Sequence, residues 1–358
     1  MSEIKAKRSI ELDDYFKLKI IQDAKISPDG KKIIYTLFQS DAEKGEDQTS
    51  LWLYSLKTGN CRKFTSGLKD HSPAWSPDGK EIAFISSRNG APQIFLLPVD
   101  GGEAQSLTDM KQGVASAPVW SPDGKWIAFN AGPSMEEPPD PSKPYRLTRN
   151  VYRFDAVGYL EQGLINIYTI PSIGGEATQL TNDLRLNTAI TWSPDSQKIL
   201  YLSMMGPEDF SINAIIKTVD LEANQIEILP GSWGEIASIQ WSPDGNKILF
   251  AGTPAGKPIG SKIDLYILDM DSNVLDNRTE DLIFGIGGKM QADMPFSTDS
   301  LSNPVLYPTN DGMHLITSVH VGGCIHAYNI NLAGKPSWEP IVYGERTVVL
   351  KDYNPKGL

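Results

Sequence analysis

The tetrapeptide Ser-Pro-Asp-Gly occurs at Ser27–Gly30, Ser76–Gly79, Ser121–Gly124 and Ser242–Gly245, and a near copy, Ser193-Pro194-Asp195-Ser196, adds a fifth. The surroundings repeat with it. Six residues after each Ser stands an isoleucine (Ile33, Ile82, Ile127, Ile199, Ile248), and eight after stands an aromatic (Tyr35, Phe84, Phe129, Tyr201, Phe250). The residue before the Ser is Ile26, then Trp75, Trp120, Trp192 and Trp241, so half of the eight tryptophans hold one repeat position. A chain that reuses one unit in this way folds as an array of like elements.

Turn chemistry identifies the unit. Pro presets φ for the second position of a type I turn, Asp suits the third, and Gly takes the left-handed position that follows. Such a turn joins two antiparallel strands, and the flanking apolar and β-branched runs read as those strands. Ile82-Ala83-Phe84-Ile85 is apolar on both faces, as expected of a strand covered on both sides. A third strand follows at Leu51–Leu56, Ile94–Val99, Ile167–Ile170, Ala214–Val219 and Leu265–Leu268. A weaker fourth ends in a shared phrase: Gly101-Gly102-Glu103-Ala104 leads to Leu107-Thr108, and Gly174-Gly175-Glu176-Ala177 to Leu180-Thr181. Four antiparallel strands recurring every 45 to 49 residues describe an all-β fold, a β-propeller of four-stranded antiparallel blades with WD-like repeats.

A degenerate sixth copy fits Thr309-Asn310-Asp311-Gly312, with Leu315 at the isoleucine position. Val348-Val349-Leu350, Tyr353 and Asn354-Pro355-Lys356-Gly357 read as the first strand and turn of another unit. The expectation is six complete blades plus the start of a seventh, in a single propeller domain over 1–358 with a short helical lead at 9–18. Two insertions lengthen the repeat, at about 131–164 (rich in proline) and about 276–304. Loops carry function more often than strands, so both are candidate contact sites.

Charge and composition narrow the function. With 33 Lys+Arg against 44 Asp+Glu the net charge is −11, and no basic block exists to track a phosphate backbone, so a nucleic-acid partner is not expected. No stretch approaches the roughly 18 apolar residues of a membrane helix, and charge runs through residues 1–20, leaving no signal-peptide core. Cys61 and Cys324 are too few for a disulfide framework, which fits the reducing cytoplasm.

Catalytic constellations are not found. No Gly-x-Ser-x-Gly occurs; Gly231-Ser232-Trp233-Gly234 has the wrong spacing for a nucleophile elbow. His314, His320 and His326 with Cys324 lack the paired spacing of a zinc site and read as structural, so neither metal nor cofactor is expected. The repeated Asp29, Asp78, Asp123, Asp195 and Asp244 are explained by their turns rather than by acid–base work. Lys143, Arg146, Arg149 and Arg153 recur at three, three and four after Pro144, the spacing of one helical face. That cluster reads equally as a site for a carboxylate or acidic partner surface and as a solvated stripe paired with Glu136, Glu137 and Asp155.

The lead Ile10-Glu11-Leu12-Asp13-Asp14-Tyr15, the strand into Ser27, and Arg149-Asn150-Val151-Tyr152-Arg153-Phe154-Asp155 with Gly158-Tyr159 resemble the prolyl oligopeptidase family of serine peptidases. They are most similar to its acylaminoacyl-peptidase branch. The resemblance implies an N-terminal propeller that covers a C-terminal α/β-hydrolase domain, absent from this chain, and restricts access to short peptides. The catalytic Ser, Asp and His of that family lie in the hydrolase domain, so this chain alone is expected to be inactive in proteolysis. Arg146, Arg149, Arg153, Asp155 and Tyr159 are the candidate substrate or domain-interface residues. The Trp-Ser-Pro-Asp-Gly-Lys phrase is also shared by TolB-type propellers, which leaves a non-catalytic protein-binding propeller as the alternative. Unpaired edge strands would allow a homo-oligomer.

Overall fold

A computed structural model describes residues 8–132, 144, 146–154, 158–159, 165–206, 208, 213–258, 260–287 and 304–354. Six four-stranded antiparallel sheets stand in a ring. The first is built from Ile20–Ile26, Lys32–Asp41, Glu46–Ser55 and Cys61–Lys63, and the second from Asp70–Trp75, Glu81–Ser86, Gln93–Pro98 and Gln105–Ser106. The third takes Val119–Trp120, Trp126–Ala131, Asn166–Pro171 and Thr178–Gln179. Leu186–Trp192, Lys198–Met204, Ala214–Asp220 and Ile226–Ile228 form the fourth. Trp233–Trp241, Lys247–Pro254, Asp264–Asp269 and Leu275–Asn277 form the fifth, and Tyr307–Pro308, His314–Val321, Cys324–Asn331 and Trp338–Val342 the sixth. In every sheet the strands keep chain order, and the first strands of the first five blades neighbour one another in turn.

The turn motif is held by its serine. Each Ser Oγ donates to the Asp carboxylate two residues on (2.5–2.7 Å) and accepts the backbone N–H five residues on (2.9–3.0 Å). The glycines have φ between 71° and 75°, and Ser196 accepts the same left-handed conformation at 63°. Thr309, Asp311 and Gly312 reproduce the arrangement in the sixth blade. The shared Leu-Thr ending also has a purpose. Thr108 and Thr181, and Thr279 after Arg278 in the fifth blade, accept the N–H of Ile94, Ile167 and Leu265 at 2.9 Å, closing the third strand where the ladder runs out.

Blades adhere through apolar faces. Ile82, Phe84, Ile127, Phe129, Ile199, Tyr201, Ile248 and Phe250 are all 0% exposed and pack on the preceding blade. Five such clusters join the six blades in sequence, the last combining Leu265 and Ile267 with Leu315 and Val319. Above them the repeated tryptophans bind blade to blade. The indole N–H of Trp75 donates to Lys25 O at 3.0 Å, that of Trp120 to Ala74 O at 3.3 Å, and that of Trp192 to Val119 O at 2.9 Å.

The sixth and first blades meet differently. Residues 347–354 run between them as an extended segment that begins with a parallel bridge from Thr347 to Ile325. Asp352 accepts the Ile26 N–H at 2.7 Å, Lys351 donates to Gln22 O, and the Tyr353 ring lies 6.0 Å from Tyr307. Asn354 sits where a Cβ on Gly30 would meet it at 2.8 Å, just as Gly79, Gly124 and Gly245 face the prolines of the turns before them. The segment expected to open a seventh blade thus holds the ring position of an inner strand. Residues 355–358 lie outside the described set.

Candidate docking face

Strand direction gives the ring two unlike faces. First strands run toward the Ser-Pro-Asp-Gly turns, so the turns cluster on one face, while the second-to-third hairpins and the blade-to-blade connections share the other. Both insertions fall on this second face, as does the lead into the first blade. Its 3-10 turn, Leu12–Lys17, is braced by Asp14, which accepts from Arg8 and Lys17 and stays well below the usual carboxylate range for that reason. Large apolar side chains stand exposed around this rim, among them Ile10 (92%), Leu12 (93%), Leu147 (51%), Leu184 (51%) and Ile283 (87%). The turn face also exposes apolar side chains, at Ile173 (97%) and Met313 (47%), so it is their gathering beside the lead and both insertions that makes this face the candidate contact surface.

The insertion departs from its expected form. Among its described residues no helix occurs: 146–152 are irregular, and Arg153–Phe154 pairs with Gly158–Tyr159 as a short antiparallel ribbon. The arginines therefore do not share a face. Arg149 is buried and donates to Met205 O in the fourth blade, next to Asn150, which donates to Glu208 O at 2.9 Å. Arg146 and Arg153 are exposed on the rim. Lys143, Glu136, Glu137 and Asp155, and the Tyr159 side chain, lie outside the described residues. The three-three-four spacing of the cations misled the helical reading, since a chain held by blade contacts rather than by its own i→i−4 bonds need not follow a 3.6 period.

Two polar groupings near the channel escaped the sequence reading. Asp70 is fully buried and accepts two bonds from Arg88 (3.0 and 2.9 Å), whose guanidinium lies over Phe84 and Phe95 at 5.5 and 4.8 Å. Beside it His71 Nδ1 meets Ser72 Oγ at 3.0 Å; burial lowers its pKa, with Asp23 and Asp70 opposing. At the ring junction burial raises the Asp352 carboxyl and lowers the Lys351 ammonium. In the sequence this segment read as the first strand and turn of another unit, Val348-Val349-Leu350 with Tyr353 and Asn354-Pro355-Lys356-Gly357, and nothing there singled out Lys351 or Asp352.

The histidines do not converge. His314 and His320 lie on one face of their strand, while His326 pairs with Val319 on the other and meets Gly344 O at 2.8 Å. Among the described residues no group of three metal-ligating side chains forms, and no helix is long and apolar enough to cross a membrane.

Comparison with known proteins follows the same lines. The TolB beta propeller domain matches residues 17–136. The "Uncharacterized peptidase YuxL" of Bacillus subtilis is 27% identical over 212 residues, which cover 57% of this chain and 32% of that protein. The acylaminoacyl peptidase of Pyrococcus horikoshii superposes with a TM-score of 0.69 at 17% identity, over 93% of this chain and 47% of its own. The propeller domain of the Trilobed protease from Pyrococcus furiosus, described as having an open velcro topology, gives 0.61 at 14% identity over 94% and 87%. The chain spans about a third of YuxL and about half of the acylaminoacyl peptidase. By fold it is a six-bladed β-propeller of the kind found in the propeller domains of acylaminoacyl peptidases.

Proposed function

We propose that this chain is the substrate-gating propeller of a serine-type oligopeptidase or acylaminoacyl peptidase, with catalysis supplied by an α/β-hydrolase domain seated on the insertion-bearing face. The observation that carries the reading is the apolar rim, which gathers the lead, both insertions and the channel mouth on one side of the ring. Similarity to YuxL and to the peptidase propellers supports it. A ring admits an extended peptide and excludes a folded protein, and a closed interface keeps water from the reaction. We assign Arg146 and Arg153, both exposed, with Asp155 and Tyr159 of the same insertion, to the interface with the hydrolase domain or a peptide C-terminus. In a reducing cytoplasm both cysteines stay thiols, consistent with their separation here.

The test is made on the full-length protein that contains this chain. Leu147→Asp with Ile283→Asp should loosen the docked face, raising cleavage of an unfolded protein relative to a short acylated peptide. Unchanged selectivity, or no peptidase activity in the unaltered protein, overturns the proposal. The TolB match favours a second reading, a propeller that binds protein without catalysis. Stable capture of a partner on the rim by an inactive full-length protein would establish that reading instead.

A further inference from the structure

The second and fourth blades build the same buried corner with different side chains. Six residues before the turn serine, a polar side chain on the first strand faces a serine on the second: Asp70 opposite Ser86, and Asn187 opposite Ser203. All four are 0 or 1% exposed. In the second blade Arg88 supplies the donors. Its Nη2 reaches both Asp70 oxygens, at 3.0 and 2.9 Å, and its Nε reaches Ser86 Oγ at 2.8 Å. The fourth blade carries Met205 at that position, a side chain with no donor.

The fourth-blade corner is therefore polar and short of partners. Asn187 spends its amide group on Asp183 Oδ1 at 2.6 Å and Asn166 Oδ1 at 3.3 Å, which leaves its own Oδ1 pointing elsewhere. Among the described residues that oxygen, Ser203 Oγ and the Tyr201 hydroxyl are all buried without a hydrogen-bond partner. The three share one face of the sheet. Ser203 lies directly across from Asn187, where facing Cβ atoms stand about 4.5–5.5 Å apart, and Tyr201 precedes Ser203 by two on the same strand. Asp183 marks the far side of the corner: it accepts from Lys217 at 3.2 Å, and Lys217 lies directly across from Tyr201. Burial, and then the Asp183 charge, raise the Tyr201 phenol, so it keeps its proton and can donate.

We propose that this corner, between the third and fourth blades, holds one ordered water molecule that does there what Arg88 does in the second blade. The water donates to Asn187 Oδ1 and exchanges hydrogen bonds with the hydroxyls of Ser203 and Tyr201. Buried polar groups left over by side-chain pairing are met in this way, by a solvent molecule with two or more partners. Charge excludes the other small ligands. A cation would face the Lys217 ammonium and an anion the Asp183 carboxylate, and those two groups already balance. The site makes no use of the rim, and the assignment does not depend on the gating role.

A crystal structure of the chain that shows ordered solvent should place a water within about 3.2 Å of Asn187 Oδ1 and of at least one of the two hydroxyls. Tyr201→Phe with Ser203→Ala removes both hydroxyls, and the third blade already carries Phe129 and Ala131, both buried, at the same two positions. Magnetic relaxation dispersion of the solvent should then count one long-lived internal water fewer in this double variant than in the unaltered chain. An empty corner, a direct bond from Ser203 or Tyr201 to Asn187 Oδ1, or an unchanged count of internal waters would each overturn the assignment.

Discussion

At the scale of single residues the repeat is a set of hydrogen-bond assignments. A hydroxyl, from serine in five blades and threonine in the sixth, is required in the turn because it must donate to a carboxylate and accept an amide at once. Tryptophan recurs because its N–H reaches a carbonyl of the neighbouring blade. Trp192→Phe should therefore lose that bond as well as ring area, while Trp241→Phe, with no acceptor to lose, gives up area alone. Thermal unfolding should find the former costlier by about 1 kcal/mol. Equal costs would mean that the tryptophan position serves packing only.

At the scale of the element, the sequence revealed what is periodic and concealed what is not. Alternation and turn chemistry depend on neighbours along the chain, so the hairpins, the third strands and the degenerate turn at Thr309 were legible. The insertion takes its shape from the fourth blade, through contacts such as Arg149 to Met205 O, which no local spacing encodes. Arg149→Ala should accordingly cost about 1–3 kcal/mol in chemical denaturation, and Arg146→Ala on the open rim less than about 0.5 kcal/mol. The first blade shows the same limit from the other side. Ile33 and Tyr35 carry the repeat signature yet are only half-buried, because burial at that position is conferred by a preceding blade.

At the scale of the whole molecule, the junctions between blades are unequal. Five carry a continuous apolar cluster, whereas the sixth-to-first junction is held through Gln22, Lys351 and Asp352; His71, on the inner strand of the second blade, titrates under the influence of Asp23 and Asp70. His71 is held below its ordinary pKa of 6.5 by burial, against the pull of Asp23 and Asp70. Above 6.5 it is neutral folded or unfolded; as pH falls through that value the unfolded chain takes the proton first, so folding stability declines. Melting temperature should drop between about pH 7 and pH 5, and His71→Gln should flatten that slope. Asp352, raised by burial, acts in the opposite sense at lower pH, since the folded chain protonates before the unfolded one. A slope unaltered in His71→Gln would place the sensitivity elsewhere.

That inequality has a mechanical side. The two ends of the described chain lie at opposite faces of one junction, the lead on the insertion face and Asn354 beside Gly30 on the turn face, where the ring is held by a few polar contacts and one ring contact. Tension applied through those ends loads the Asp352–Ile26 bond in shear and spares every apolar junction. Under load the ring parts there first, springing into an open arc of six intact blades before any sheet is pulled apart.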